Sequence, residues 1–316
     1  MLAYVITRTV RWGSGLLLVL VTTYAMMFYG AGDPVKRMFD ELSQGGAVFD
    51  KSVQDAMRKE LGLDKPFHEQ FINYLVKLSQ GNLGISIRER RPVINMVRVR
   101  LPISVQIGLM ATGLAALIGI PLGVLAALKH NRWTDTTIVG SAVFINAVPV
   151  FVTGPLLLVF FVLVLDIMDV PFGWKGPFDK QIILPLILMT MAPLPALVRQ
   201  TRAGLLEVMG EDYIRTARAK GLTERMVVMR HMLRPVLIPV ITVLGFIMIG
   251  LVNGALFVET IFNIPGFGQL TYQGLTQVDY PVIMAVVLIG TVIVMVGNLL
   301  VDLAYPLLDP RITAGK

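Results

Sequence analysis

Few residues of this chain have the types and spacing that chemistry requires. The three histidines, His68, His130 and His231, lie in separate polar segments, and no His-Glu-x-x-His pair or Gly-x-Ser-x-Gly elbow is present. There is no cysteine, which removes disulfides, thiolate nucleophiles, iron–sulfur clusters and thiolate zinc sites together. Also absent is a Gly-x-x-x-x-Gly-Lys-Ser/Thr loop, whose backbone N–H groups would wrap nucleotide phosphates. The sequence therefore offers no catalytic residue, no metal site and no cofactor site. Energy from a nucleotide, if used, has to come from another chain.

The elements that would position any functional residue are membrane helices. Of 316 residues 55% are hydrophobic and only 16% are charged, against about 25% charged in soluble domains. Six runs without fixed charge approach or exceed the length of about 20 residues needed to cross a bilayer: 12–32, 101–128, 136–165, 181–198, 235–258 and 280–301. The first is too long for a signal-peptide core, and Gly30-Ala31-Gly32 is a poor cleavage site, so it reads as a span. The fold class is all-α integral membrane with six transmembrane helices.

The net charge of +7 is better read by placement than by sum. Leaving out the long loop after the first run, fourteen Lys and Arg fall on one side of the membrane and two, Lys175 and Lys180, on the other. The basic-rich side is the cytoplasm, so both termini are expected there, in a multi-pass protein of the cell membrane. Membrane lipid is then a partner, and nucleic acid is not.

Residues 33–100 carry 12 basic and 9 acidic residues and read as an extracytoplasmic cap. Two amphipathic helices are expected in it. One runs from about Ser52 to Gly62 with Val53, Met57 and Leu61 on one face; the other runs from Asp64 to Gly81 with Phe67, Phe71, Leu75 and Leu78 on one face. The cap is either a lid on the membrane helices or a docking element. The domain division is 1–32 for the N-terminus and first helix, 33–100 for the cap, 101–306 for the remaining membrane core, and 307–316 for a cytoplasmic tail.

Prolines 121, 149, 155, 185, 193, 195 and 239 fall in the apolar runs and point to kinked helices whose freed carbonyls are satisfied by neighbours. The notable polar residues there are Gln106, Asn146, Asn253 and Asn298. Each is either an interhelical hydrogen-bonding group or a pathway-lining one. Ion-coupled transporters keep ionisable groups within the bilayer, and none lies well inside a run here, which speaks against a secondary transporter.

The most patterned polar segment is cytoplasmic loop 199–234. Glu211 and Asp212 open a short helix, Arg218 and Lys220 close it, and Gly221 supplies a C-terminal cap, in accord with the helix dipole. Tyr213, Ile214 and Ala217 share an apolar face. A second helix is expected from Thr223, with Met226, Val227, Arg230 and Leu233, before Pro235 leads into the fifth run. So short a helix is marginal alone in water, so something has to hold it: lipid headgroups or a cytoplasmic partner.

The stretch Glu211-Asp212-Tyr213-Ile214-Arg215-Thr216-Ala217-Arg218-Ala219-Lys220-Gly221-Leu222, with Arg230-His231-Met232-Leu233-Arg234-Pro235, resembles the cytoplasmic coupling motif of ABC importer permeases. It is most similar to the first membrane subunit of the dipeptide, oligopeptide and nickel importers. Collinear matches extend the resemblance over nearly the whole chain, among them Gly32-Asp33-Pro34, Gly81-Asn82-Leu83-Gly84, Arg91-Pro92-Val93, Asp279-Tyr280-Pro281 and Asp309-Pro310-Arg311. One of them, Glu259-Thr260-Ile261-Phe262-Asn263-Ile264-Pro265-Gly266-Phe267-Gly268, precedes the last run.

The resemblance implies a type I ABC importer permease fold and no ATPase site of the chain's own. Its implied partners are a homologous second permease subunit, two cytoplasmic ABC ATPase subunits and an extracytoplasmic substrate-binding protein, with peptides, nickel chelates or glutathione as cargo. Coupling falls to Glu211, Asp212, Tyr213, Ile214, Arg215, Ala217, Arg218 and Gly221. The extracytoplasmic gate falls to Glu259, Asn263, Pro265, Gly266 and Gly268, in a segment, 259–282, expected to be an ordered turn. Two departures stand out. Arg215-Thr216-Ala217 occupies the place of the general motif's Glu-Ala-Ala, and the proline of its Ile-x-Leu-Pro is displaced to Pro235.

Overall fold

The computed structural model describes residues 2–44 and 50–308, without the side chains of 2–9, 42, 44, 253–254 and 305–308. Asp309-Pro310-Arg311 thus lies outside the described residues, and so does the side chain of Asn253. The described elements are helical, and the extended pairing among them is a single antiparallel bridge, Ile85 to Pro92. In chain order the helices are α1 (Leu2–Met26), continued by a π turn (Met27–Ala31), α2 (Pro34–Gln44), α3 (Lys51–Leu61), α4 (Phe67–Ser79), α5 (Val93–Leu128), α6 (Trp133–Ala147) and α7 (Val150–Leu158). There follow α8 (Ile183–Met191), α9 (Leu194–Met209), α10 (Asp212–Ala219), α11 (Glu224–Met226), α12 (Leu233–Gly254), α13 (Leu256–Ile261), α14 (Phe267–Gln277) and α15 (Tyr280–Leu308).

Among the described residues, four helical runs are long and apolar enough to cross a membrane, and up to six if each of two bent pairs counts as one span. The bent pairs fall on the third and fourth expected runs. The first is α6 and α7, extended by a π turn to Val164, which meet at 95°. Val148 and Pro149 are extended there, because proline lacks an N–H and drives the residue before it out of helical geometry. The second pair, 180–191 and α9, bends by 44° at Ala192-Pro193. Pro239, by contrast, sits inside an unbroken α12.

The chain divides into two compact units, 1–102 with 266–293, and 103–265 with 294–316. In the first, α1, α4 and the start of α15 share a core containing Leu20, Val93, Met96, Phe267, Leu270 and Val282. Tyr24 stands edge-on to Phe67 and Phe71, with ring centroids 5.8 and 5.4 Å away, and its hydroxyl donates to Gln70 Oε1 at 3.1 Å. The Gln70 amide in turn donates to the carbonyls of Lys65 and Leu63, so this buried polar side chain is satisfied by the turn before its own helix.

Both helices expected within 33–100 are present as α3 and α4. Asp50 caps α3, accepting from the Ser52 N–H at 3.2 Å, and Gly62 ends it with φ of 69°. A third helix in that segment, α2, was not expected from the sequence. Its start is set by Asp33, whose Oδ1 accepts from the N–H groups of Val35 and Lys36, followed by Pro34 at the first helical position. Arg58 reaches from α3 to the other oxygen of Asp33 at 2.6 Å.

In the second unit one core gathers Ile103, Ile107, Leu184, Leu188, Val258, Phe262 and Ile264. Another gathers Leu197, Leu205, Ile214, Ala217, Val227, Met232, Val236 and Val240. α5 and α9 approach closely at Gly123, where a Cβ would lie 2.6 Å from Thr201 Cβ and 2.8 Å from the Val198 carbonyl oxygen. Only glycine permits that crossing.

Candidate functional site

Loop 199–234 is ordered by three devices. α9 ends at Gly210, Glu211 takes the extended backbone of a helix start, and α10 runs Asp212–Ala219 as expected. The segment after Thr223 is helical and leads into the fifth run as expected, passing through a π turn, Val227–Met232, directly into α12. Proline at 235 clashes with the carbonyl four residues back in a regular helix, and the wider π turn just ahead of it relieves that conflict.

α10 lies with its apolar face against its own chain. Ile214 is fully buried and Ala217 is 5% exposed, both packed in the core that holds Val227, Val228 and Met232 of the π turn. The short helix is therefore held from within, and Tyr213, expected on the same face, is 45% exposed at its margin. Glu211, Asp212, Arg215, Thr216, Arg218, Lys220 and Gly221 face outward. Arg218 grips Glu224 with Nη2 and Nε, at 2.7 and 3.2 Å, which pins the end of α10 to the start of α11 and holds the guanidinium pKa above its ordinary value. Partial burial, aided by the charge of Glu211, pushes the Tyr213 phenol up as well. Gly221 adopts φ of 77° with open space around the position of a Cβ, so conformation alone, not crowding, selects glycine there.

Behind the loop, Asp135 is buried and accepts from Arg202 Nε and Nη2 at 2.7 and 2.8 Å and from the Asn131 N–H at 3.0 Å, with His130 Nδ1 3.3 Å away. The cluster ties the turn between α5 and α6 to α9, the helix that leads into α10. Neither Asp135 nor Arg202 was singled out in the sequence, because an ion pair 67 residues apart leaves no local pattern.

The polar residues of the apolar runs are spread out. Gln106 is exposed on α5, and Asn298 is half-buried on α15. Asn146 lines a cleft of about 150 Å³ at the bend between α6 and α7, together with Pro149, Thr153, Leu188 and Met191. The structure does not bring these three to one site.

The segment from Glu259 divides between the two units. In the second unit Glu259 is fully buried, accepts the Ser104 hydroxyl at 2.5 Å, and accepts the Ile264 N–H on its backbone carbonyl at 2.8 Å. Phe262 and Ile264 are buried beside it, Asn263 turns with φ of 49°, and Pro265 follows half-buried. The apolar run Glu224–Ile261 thus carries a buried carboxylate near its end, just past the expected boundary at 258, and the case against ion coupling from missing charge is weaker at that place. In the first unit Gly266 and Gly268 are buried at the start of α14, where Phe267 and Leu270 enter the core. Among the described residues no group of histidines and carboxylates could hold a metal ion.

Residues 119–314 match the family described as the inner membrane component of binding-protein-dependent transport systems, and residues 1–108 match the N-terminal part of that membrane component. The chain is 35% identical to the oligopeptide transport system permease protein AppB of Bacillus subtilis (strain 168), over 99% of each. It is 36% identical to the dipeptide transport system permease protein DppB of Escherichia coli (strain K12), over 94% of this chain and 95% of that one. The oligopeptide transport system permease protein OppB of the same strain is 31% identical, over 99% of each. Among solved structures, an inward-facing form of the MetNI methionine ABC transporter shares the fold, with a TM-score of 0.53 and 18% identity over 66% of this chain and 95% of that one.

Proposed function

The chain belongs to the family of inner membrane components of binding-protein-dependent transport systems, and we propose that it is the permease subunit of an ATP-driven importer of di- or oligopeptides. It forms one half of a translocation pathway with a homologous second permease. Two cytoplasmic ABC ATPases supply the energy, and an extracytoplasmic binding protein delivers cargo. Peptide cargo follows the names of the relatives at 31–36% identity, with nickel chelates or glutathione as the alternatives within the same role.

The observation that carries the mechanism is the seating of α10. Its inner face, Ile214 and Ala217, is locked into the core that contains α9 and α12 residues, while Glu211, Asp212, Tyr213, Arg215 and Arg218 face outward. A partner that grips the outer face moves α10 as a rigid handle, and the motion passes through Val227 and Met232 into the fifth span. Closure of the ATPases then swings the later spans so that the pathway opens to one side or the other. The 14-to-2 placement of basic residues supports a cytoplasmic position for α10 and both termini, and an extracytoplasmic one for the cap and for the gate at Glu259, Asn263, Pro265, Gly266 and Gly268. The division into 1–32, 33–100, 101–306 and 307–316 follows from that topology.

The test is reconstitution. The purified chain alone should bind no nucleotide, and the complex in proteoliposomes should hydrolyse ATP faster and take up labelled peptide when loaded binding protein is supplied. Nucleotide binding by the isolated chain would contradict the division of labour. Uptake driven by a proton gradient without the ATPases would instead establish a secondary transporter, with Glu259 as the group to examine.

A further inference from the structure

Within the second unit α9 leads directly into α10 and runs against both α6 and α12. Its neighbours approach closely. A Cβ on Gly204 would lie 3.1 Å from Val236 of α12, and a Cβ on Gly119 of α5 would lie 2.9 Å from Leu197. One turn further along α5, Gly123 meets Thr201 in the same way. Ala115 and Ala127 of α5 are buried in the core that also holds Leu205, Ile214 and Ala217, so α5, α9, α10 and α12 share one apolar seat.

An apolar seat resists separation better than sliding. Burial is non-directional, and Ala115, Gly119 and Gly123 recur at four-residue steps with too little side chain to catch on a neighbour. Small sliding of packed helices is one of the ordinary ways a domain changes shape. The directional contact stands just past the crossing. Arg202 follows Thr201 directly, and its Nε and Nη2 hold both oxygens of Asp135, in the first turn of α6, at 2.7 and 2.8 Å. The Asn131 N–H adds a bond at 3.0 Å from the turn itself, and His130 Nδ1 lies 3.0 Å from Arg202 Nη2. Two parallel charge-assisted bonds fix direction as well as distance.

We propose that Asp135 and Arg202 are positioning residues of energy coupling: their clasp locks the turn between the second and third spans to α9, so that a stroke delivered to α10 moves those spans together with the fifth. The proposal rests on the permease reading above and adds to it a second route out of α10, beside the one through Val227 and Met232. Apolar side chains of similar size would hold the fold without the desolvation cost of a buried carboxylate. The clasp differs from them in keeping register while the subunit moves.

The experiment uses the full complex in proteoliposomes with its peptide-loaded binding protein, and follows ATP hydrolysis and labelled peptide uptake in the same vesicles. Arg202→Lys and Asp135→Asn each keep a polar partner but lose the charged fork. Both should retain ATPase co-purification and stimulated hydrolysis, while peptide taken up per ATP falls about fivefold or more. Leu184→Ala, a truncation in the other core of the same unit, is the control for lost stability and should lower the melting temperature without lowering that ratio. Cysteines at Lys129 and Lys220 carry spin labels that report the distance between the turn and the end of α10. In the parent that distance should be the same in the nucleotide-free and vanadate-trapped complexes, and in either clasp variant it should shift or broaden on trapping. A parental ratio in both variants would overturn the proposal. So would an equal loss of ratio in Leu184→Ala, or a parent distance that changes on trapping by about one helical turn, roughly 5 Å, or more. A parent complex that shows no stimulation by loaded binding protein would defeat the permease reading and the proposal with it, whereas the other failures defeat only the clasp.

Discussion

Asp135 and Arg202 face each other as a two-pronged pair, with nitrogen–oxygen distances of 2.7 and 2.8 Å, although 67 residues separate them in the chain. The pair is unequal. The Asp135 side chain is 5% exposed and that of Arg202 is 25% exposed, so the guanidinium retains some water while the carboxylate depends on its partners.

That inequality sets the order of two substitutions. Arg202→Ala strands a buried carboxylate and should destabilise the protein by about 2–4 kcal/mol, somewhat below the range for fully buried pairs because Arg202 is partly solvated. Asp135→Ala leaves an arginine that can turn toward water, and should cost about 1–2 kcal/mol. Arg202→Lys should fall between the parent and Arg202→Ala, since an ammonium cannot reproduce the fork. Thermal unfolding in detergent checks the order, and an Asp135→Ala loss equal to or larger than that of Arg202→Ala would contradict it.

A second prediction concerns the turn after α10. Gly221 has φ of 77° and no atom within contact distance of a Cβ, so the cost of substitution should follow backbone preference, not size. Gly221→Asn should be the mildest, Gly221→Ala should cost about 1 kcal/mol, and Gly221→Val should cost more, because β-branched residues are the least tolerant of this region. Peptide uptake by the reconstituted complexes should fall in that same order. Equal uptake by the asparagine and valine variants would show that the turn is not strained.

What the sequence made legible divides along physical lines. Hydropathy and charge are summed over many residues, so the spans and the membrane class could be read directly. α10 and Gly221 could be read because helix ends carry local signals within a few residues. α2 was readable from Asp33-Pro34 at its start and from Val35, Met38, Phe39 and Leu42, which recur at i, i+3, i+4 and i+7. The 95° bend at Pro149 was not fixed by the proline itself, since Pro239 leaves α12 continuous; neighbouring packing decides which proline breaks a helix. The periodicity of 213–217 showed an apolar face on α10 but could not say whether this chain or another covers it. Ser86 with Asp279, and Asp135 with Arg202, are pairings made by the fold across long sequence separations, and no local spacing announces them.

Topology is tested most simply by cysteine labelling, because the chain has no native thiol to interfere. Lys51, Lys77, Lys129 and Lys220 are all exposed, so single cysteines there should react readily once reached. An impermeant thiol reagent outside intact cells should label positions 51 and 77 and spare 129 and 220 until the membrane is permeabilised. Labelling of 220 but not 51 in intact cells would invert the orientation derived from the basic residues.

The final prediction separates the two faces of α10. Ala217 is 5% exposed among Ile214, Val227, Val228 and Met232, so Ala217→Glu places a carboxylate in the chain's own core, at a cost of several kcal/mol, roughly 2–7. The helix should come away from its seat, and both ATPase co-purification and peptide uptake should collapse along with a lowered melting temperature. Arg218→Glu acts on the opposite face. It removes an ion pair to Glu224 between side chains 40% and 55% exposed, a contact of the kind that contributes about 1 kcal/mol or less, so the melting temperature should barely move. If the outer face grips an ATPase, co-purification should nevertheless fall, because the reversed charge meets a surface matched to arginine. If α10 only lies on lipid headgroups, the ATPases should remain bound to the Arg218→Glu complex. Loss of stability with Ala217→Glu together with loss of partner at constant stability with Arg218→Glu is the expected pair of results. Normal uptake by both variants would remove α10 from the coupling path.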